Sequence, residues 1–190
     1  MSTSPIILAS TSPYRRELLA RLRMPFDCVA PDVDERLCTE RNPARRARQL
    51  AEAKALAVSR QQPGARVLGS DQVAHCAGEI LHKPGTARAQ REQLACLSDR
   101  EAHFDTAVSL AIDGRVVASQ VVPTVVAFRH LSAEDIAFYV EHEPAVDCAG
   151  GFKAEGLGIS LMRSLRSDDP TALIGLPLVA TAAMLREFAA

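Results

Sequence analysis

The chain has 190 residues, 47% of them hydrophobic and 24% charged, with a formal net charge of −1. That is the size and composition of one globular domain with apolar mass for a sizeable core, so residues 1–190 are read as a single domain. The near-neutral balance removes the global electrostatic case for nucleic acid or a membrane surface, and no apolar run approaches the roughly 18–20 residues of a membrane span.

The opening stretch, MSTSPIILAS, lacks a basic start and its apolar run is only strand-length, so no leader peptide is expected. PIILAS reads as a buried strand. Ser12 as N-cap and Pro13 as first helical residue then open a helix to Leu22. FDCVAP reads as a short strand and the acidic PDVDE as a loop. Asn42 and Pro43 begin a long helix to about Gln61. ARVLGSDQVAHCAGEILHK reads as a strand, a turn at Ala77-Gly78 and a short return strand. Thr86 opens a helix to Leu97. The stretch from Glu101 to Leu131 reads as a long hairpin turning at Asp113-Gly114. Ser132 with Asp135 forms a capping box before a helix over Ala133–Glu143. The glycine-rich AGGFKAEGLG is a loop, followed by a short apolar strand and a final helix, Pro177–Phe188. Hairpins among helices predict an α/β chain with a mixed sheet. The five cysteines, Cys28, Cys38, Cys76, Cys96 and Cys148, are odd in number and form no CxxC, which predicts buried free thiols and a cytoplasmic setting.

The familiar catalytic signatures are missing. No GxGxxG opens a helix, no HExxH or GxSxG occurs, and Gly151 and Gly156 are followed by Leu157-Gly158 where a phosphate loop needs Lys-Ser/Thr. What stands out is charge in unusual positions. Arg15 and Arg16 fall in the first turn of a helix, where the dipole disfavours a cation by about 0.3–1 kcal/mol. An anion docked there would use the backbone N–H groups, the guanidinium forks and the hydroxyls of Ser10, Thr11 and Ser12 together; the plain alternative is two solvated arginines. Lys54 lies on the same helix face as Ala47, Leu50, Ala51 and Val58, so it either meets an anion or snorkels to water. Asp71, in VLGSDQVA, sits in an apolar strand and needs a partner. Lys83 stands before Pro84. Asp32, Asp34 and Glu35 form either a solvated loop or part of a hard-cation site. The arginines at 36, 41, 45, 46 and 48 read as a solvated helix face, since no aromatic platform accompanies them. Together these are the parts for holding a polyphosphate with a divalent metal.

Seven ordered motifs, ILASTSPYRRELL, DVDE, LAEAKA, GSDQV, HKP, AGGFKAEG and GLPL, resemble the Maf family of nucleoside triphosphate pyrophosphatases from about Ile6 to Leu185. The variants SPYRR, SDQ and FKAEG are similar to the branch acting on 7-methyl-GTP; the dTTP/UTP branch has arginine, threonine and glutamine at the positions of Tyr14, Gln72 and Glu155. The resemblance implies a Maf/ITPase-like fold, an elongated mixed β-sheet flanked by helices with a deep cleft between two lobes. It implies Mg²⁺- or Mn²⁺-dependent hydrolysis between the α- and β-phosphates, removing modified nucleotides. By motif, Asp71 is the water-orienting carboxylate or general base, with Lys83 beside it in catalysis. Ser10, Arg15, Arg16, Lys54 and Lys83 hold the triphosphate, and Asp34 or Glu35 with Asp71 holds metal. Tyr14, Gln72 and Glu155 set specificity. N7-methylation makes guanine cationic, which favours an aromatic face and a carboxylate. Two other readings stay open: a dTTP/UTP or broad-range pyrophosphatase, and a regulator of cell division or septum formation acting by contact. The expected partner is a small-molecule nucleoside triphosphate, without nucleic acid or membrane, and the resemblance is compatible with a homodimer. Two departures are visible: the loop reads GGFKAEG where the branch pattern is GSFKSEG, and His82 replaces the usual glycine before Lys-Pro.

Overall fold

Strand β1 (Ile6–Ala9) is buried along its whole length, and a computed structural model of the chain, which describes residues 4–189, puts it between two parallel neighbours. Residues 1–3 of the stretch read for a leader lie outside the described residues. β1 pairs with β2 (Phe26–Val29) from Ile6↔Phe26 to Ala9↔Val29, and with β3 (Arg66–Cys76) from Ile6↔Arg66 to Leu8↔Leu68. Parallel neighbours need a crossover, and α1 (Pro13–Ala20) and α2 (Pro43–Ser59) supply it. With β4 (Glu79–Leu81), β5 (Glu101–Ile112), β6 (Arg115–Phe128) and β7 (Met162–Ser167) added, the strand order is β2-β1-β3-β5-β6-β7, and β4 is antiparallel to β3. The sheet is therefore mixed, as hairpins among helices predict.

The chain gathers into two compact units, residues 4–72, 105–122 and 169–189, and residues 73–104 and 123–168. In the first, the core is Ile6, Leu8, Leu18, Leu19, Leu68, Val108, Leu110, Leu176, Met184 and their neighbours. Ser12 caps α1 by accepting from the Arg15 N–H, and Pro13 starts it. The helix ends at Ala20 rather than Leu22 because the next three N–H groups bond three residues back, and Arg23 turns left-handed at φ 56°. Asn42 caps α2, which buries Ala47, Leu50, Ala51, Lys54, Ala55 and Val58. The small residues matter: a Cβ on Gly69 of β3 would lie 2.2 Å from the Ala51 carbonyl oxygen and 2.6 Å from the Ala55 nitrogen. α2 thus rests on β3 backbone to backbone. β5 (Glu101–Ile112) and β6 (Arg115–Phe128) form the predicted hairpin, turning through Asp113 and Gly114 at φ 49° and 72°. α5 (Leu178–Glu187) closes this unit.

In the second unit, α3 (Ala87–Leu97) is capped by Thr86, and α4 (Ala133–His142) carries the full Ser132–Asp135 capping box. Phe152 packs edge-on against Phe104 and Phe128, with ring centroids 5.7 and 5.1 Å apart. β7 (Met162–Ser167) pairs antiparallel with β6, but it is not the apolar strand expected: MRSLRS is mostly exposed. It lies at the end of the strand order, where charged side chains protect an edge. The cysteines are free, yet only Cys76 is buried, whereas Cys28 and Cys96 are exposed. Cys28 lies on β2, the other end strand, which explains why its side chain is uncovered. Among the described residues no helix is long and apolar enough to cross a membrane.

The Gly69 contact makes a direct prediction. Gly69→Ala is expected to cost about 3 kcal/mol of stability, because neither the Ala51 carbonyl nor the Ala55 amide can move without shifting α2. Urea denaturation measures it, and a midpoint equal to wild type would show that the helix is not seated on this glycine.

Candidate functional site

The seating of α2 on β3 brings Lys54 to Asp71. Lys54 Nζ lies 2.6 Å from Asp71 Oδ1 and 2.6 Å from Glu35 Oε1. The Lys54 and Asp71 side chains are 8% and 9% exposed, and Glu35 is 54% exposed. Lys54 therefore meets carboxylates rather than snorkelling, and the buried pair extends to solvent through its third member. Burial pushes the Asp71 carboxyl above its ordinary range; Lys54 and Arg15 pull it back, and Glu35 adds to the rise. Burial also lowers the Arg15 guanidinium from its usual value, opposed by the charges of Asp71 and Glu35. Arg15, Lys54, Glu35 and Asp71 thus share one field.

Arg15 is fixed by its Nε–H, which donates to the Gly175 carbonyl at 2.8 Å. Ser70 is fixed by the same oxygen, its hydroxyl lying 2.9 Å from Gly175 O and 2.8 Å from Ala107 O. Ser10 is buried in the turn before α1, where its Oγ accepts from the Ser12 N–H at 3.1 Å. Arg16 goes elsewhere: it is exposed and lines a surface recess with Glu17, Phe26, Asp27 and Cys28. Tyr14 is half-buried in the first turn of α1. Gln72 turns its amide nitrogen into the protein, towards Thr106 Oγ1 at 2.9 Å and the carbonyls of Ala172 and Leu173 at 3.1 and 2.9 Å. Lys83, after β4, and Glu155, in the loop before β7, are exposed residues of the second unit.

Asp34 is not part of the cluster. It caps a short 3₁₀ turn, Glu35–Leu37, and its carboxylate takes the Arg36 guanidinium in two bonds of 2.8 and 2.9 Å. That fork holds its carboxyl below the usual range. Among the described residues, no three His, Cys, Asp or Glu side chains gather for a metal ion. Glu35 and Asp71, two hard oxygen donors joined through one ammonium, suit a cation such as Mg²⁺ that completes its shell with substrate oxygens.

Sequence reasoning missed the turn that organises these groups. Asp169, 2% exposed, accepts from the Thr171 N–H at 3.1 Å through Oδ1 and from the Val179 N–H at 2.7 Å through Oδ2. Thr171 Oγ1 accepts from the Leu178 N–H and lies 2.8 Å from the Leu176 carbonyl. The turn aims three carbonyls, of Ala172, Leu173 and Gly175, at Gln72, Ser70 and Arg15. The available signal was DDPT before LIGLPL, an Asp-Pro-Thr turn leading into a helix start.

A family model described as "Maf-like protein" matches residues 5–188. A protein of Xanthomonas oryzae pv. oryzae named 7-methyl-GTP pyrophosphatase is 50% identical over 182 residues, covering 96% of this chain and 95% of that protein. Proteins of the same name from Bordetella avium and Aromatoleum aromaticum are 49% and 48% identical; they are covered to 92% and 96%, over 96% and 98% of this chain.

The raised Asp71 carboxyl has a stability consequence whose sign is fixed. A carboxyl that binds its proton more tightly when folded contributes fully in acid, and that contribution is lost as pH rises through the window above its unfolded value. The unfolding free energy of wild type relative to Asp71→Asn is therefore expected to fall as pH is raised from about 4. Urea melts of both proteins across pH measure it, and a difference that grows with pH would contradict the assignment.

Proposed function

This chain belongs to the family of Maf-like proteins, and we propose that it hydrolyses 7-methyl-GTP to 7-methyl-GMP and pyrophosphate. The observation that carries the reading is the Lys54 ammonium held between buried Asp71 and more exposed Glu35, with Arg15 in the same field. Two cations and two carboxylates leave this cluster near neutral, so a polyphosphate finds fixed positive charge without bare negative charge facing it. Asp71 orients the attacking water and takes its proton as the new P–O bond forms; the bridging oxygen leaves with pyrophosphate. A carboxyl raised by burial is a stronger base than an exposed one. Lys54 and Arg15 oppose the negative charge of the phosphates, and Ser10 adds a hydroxyl beside them. By motif, Lys83 is assigned to the outer phosphates; Arg16, exposed beside Asp27 and Cys28, is left out of that set.

A divalent cation such as Mg²⁺ supplies further charge neutralisation when bound. Glu35 and Asp71 are the residues that would hold it; Asp34, committed to Arg36, is left out of that set. Specificity for the cationic base is assigned to Tyr14 as an aromatic face and to Glu155 as acceptor for the guanine N1–H and N2–H₂. Gln72, with its nitrogen turned inward, keeps its carbonyl end for the ligand. The names of the relatives support the same substrate.

Asp71→Asn is expected to lower kcat by about 10²–10⁴-fold with little loss of fold, because the amide fills the same space but accepts no proton. Near-full turnover by that variant would remove Asp71 from the chemistry. The substrate is tested on 7-methyl-GTP, GTP, UTP, dTTP and CTP with Mg²⁺, separating monophosphate plus pyrophosphate from diphosphate plus phosphate. Preference for 7-methyl-GTP with pyrophosphate release is expected. Preference for UTP or dTTP would keep Asp71 and overturn the roles of Tyr14 and Glu155, and no turnover would favour a protein acting by contact.

A further inference from the structure

Glu155 is an exposed side chain on a loop whose backbone is held on one side by α4 and on the other by Glu143, the residue that ends it. Tyr139, 1% exposed, accepts from the Lys153 N–H at 2.9 Å through its phenol oxygen. One turn later Glu143 Oε2 accepts from the Gly158 N–H at 3.1 Å. Burial, and with it the nearby Glu143 carboxylate, holds the phenol above its ordinary value, so the two acceptors are neighbours at the C-terminal end of α4. Their donors stand two residues before and three residues after Glu155.

The glycines of this loop fit the same arrangement. A Cβ on Gly156 would lie 2.0 Å from Glu143 Oε1, and one on Gly158 would lie 2.3 Å from the Lys153 carbonyl oxygen. The peptide therefore folds tightly over the Glu143 carboxylate. Upstream, Gln90 Nε2 donates to the Gly151 carbonyl at 2.9 Å, and the Phe152 ring is buried between Phe104 and Phe128. Gly151, at φ 70°, adopts a backbone conformation that the serine of the branch pattern would strain to reach. From Gly151 to Gly158 the backbone is pinned, and the Glu155 carboxylate is its exposed tip. An acceptor held this way is ordered before the ligand arrives, which strengthens binding without a new contact.

We propose that Tyr139 and Glu143 are positioning residues for base recognition: they hold the loop that presents Glu155, and selectivity for 7-methylguanine depends on them through its backbone. The proposal rests on the assignment of Glu155 to the base. Lys153 and Gly158 are themselves unchanged in any variant of Tyr139 or Glu143, so only the anchorage of their backbone N–H groups changes. Glu155 then samples positions in which its carboxylate misses the guanine edge. The phosphates, held by other residues, are unaffected.

The experiment compares kcat and KM for 7-methyl-GTP and for UTP, which lacks the guanine edge, in wild type, Tyr139→Phe, Glu143→Ala, Glu143→Gln, Glu155→Gln and the double variant Tyr139→Phe/Glu155→Gln. Tyr139→Phe and Glu143→Ala are each expected to raise KM for 7-methyl-GTP about five- to tenfold, with kcat and both UTP parameters within about twofold of wild type. Glu143→Gln keeps an oxygen for the Gly158 N–H and is expected to recover most of the loss. The double variant is expected to lose no more selectivity than Glu155→Gln alone, since Tyr139 acts through Glu155. If Glu155→Gln loses selectivity while Tyr139→Phe and Glu143→Ala do not, or if the double variant's losses add, the positioning role is overturned and the base assignment stands. If Glu155→Gln keeps wild-type selectivity, both fall. Should Tyr139→Phe fail to fold, Glu143→Ala and Glu143→Gln test the Gly158 contact independently.

Discussion

A buried ammonium–carboxylate pair sets the terms for the first unit. Removing Lys54 and Asp71 from water is unfavourable by several kcal/mol per ion before their attraction is counted, so everything around them must hold the pair at hydrogen-bond distance. Gly69, Ala51 and Ala55 do this by letting α2 touch β3 backbone to backbone. Asn42 fixes where the helix begins, and the two-turn spacing from Ala47 then turns Lys54 onto the strand. A bulkier residue at any of the three small positions would separate the charges as well as crowd the core.

The same constraint explains the arginine at the start of α1. A helix N-terminus repels a cation, yet Arg15 is held there by a carbonyl, Gly175 O, and by the field of two carboxylates. Its neighbour Arg16 has neither and is exposed. Adjacent residues of one type therefore belong to different environments, about 100° apart around the helix.

Much of this was legible in the sequence, because local rules dominate where elements are long and well capped. The hairpin at Asp113-Gly114, the Ser132 capping box and the inward face of α2 all follow from residue type and spacing. Lys54 and Asp71 stood out as charges on apolar faces, and their pairing resolves both. What failed to show has a common cause. The roles of Asp169, Thr171 and Gly175 depend on partners far along the chain, and backbone carbonyls leave no mark in a sequence. Asp34 looked equivalent to Glu35 until the turn between them gave one to Arg36 and the other to Lys54. Strand β7 and the exposed Cys28 reflect position at the ends of the strand order, which local composition does not encode.

The Gly175 carbonyl also orders events in time. It joins Arg15 across 160 positions and Ser70 across 105. Such contacts close large loops, form late in folding and contribute to slow assembly. A chain emerging from the ribosome amino terminus first makes α1, α2 and β3 long before residue 175 is available. The guanidinium of Arg15 therefore lacks its anchor throughout synthesis, and a nascent or truncated chain ending before Gly175 carries Lys54 and Asp71 without the groups that fix their surroundings. Maturation of the site is coupled to completion of the polypeptide.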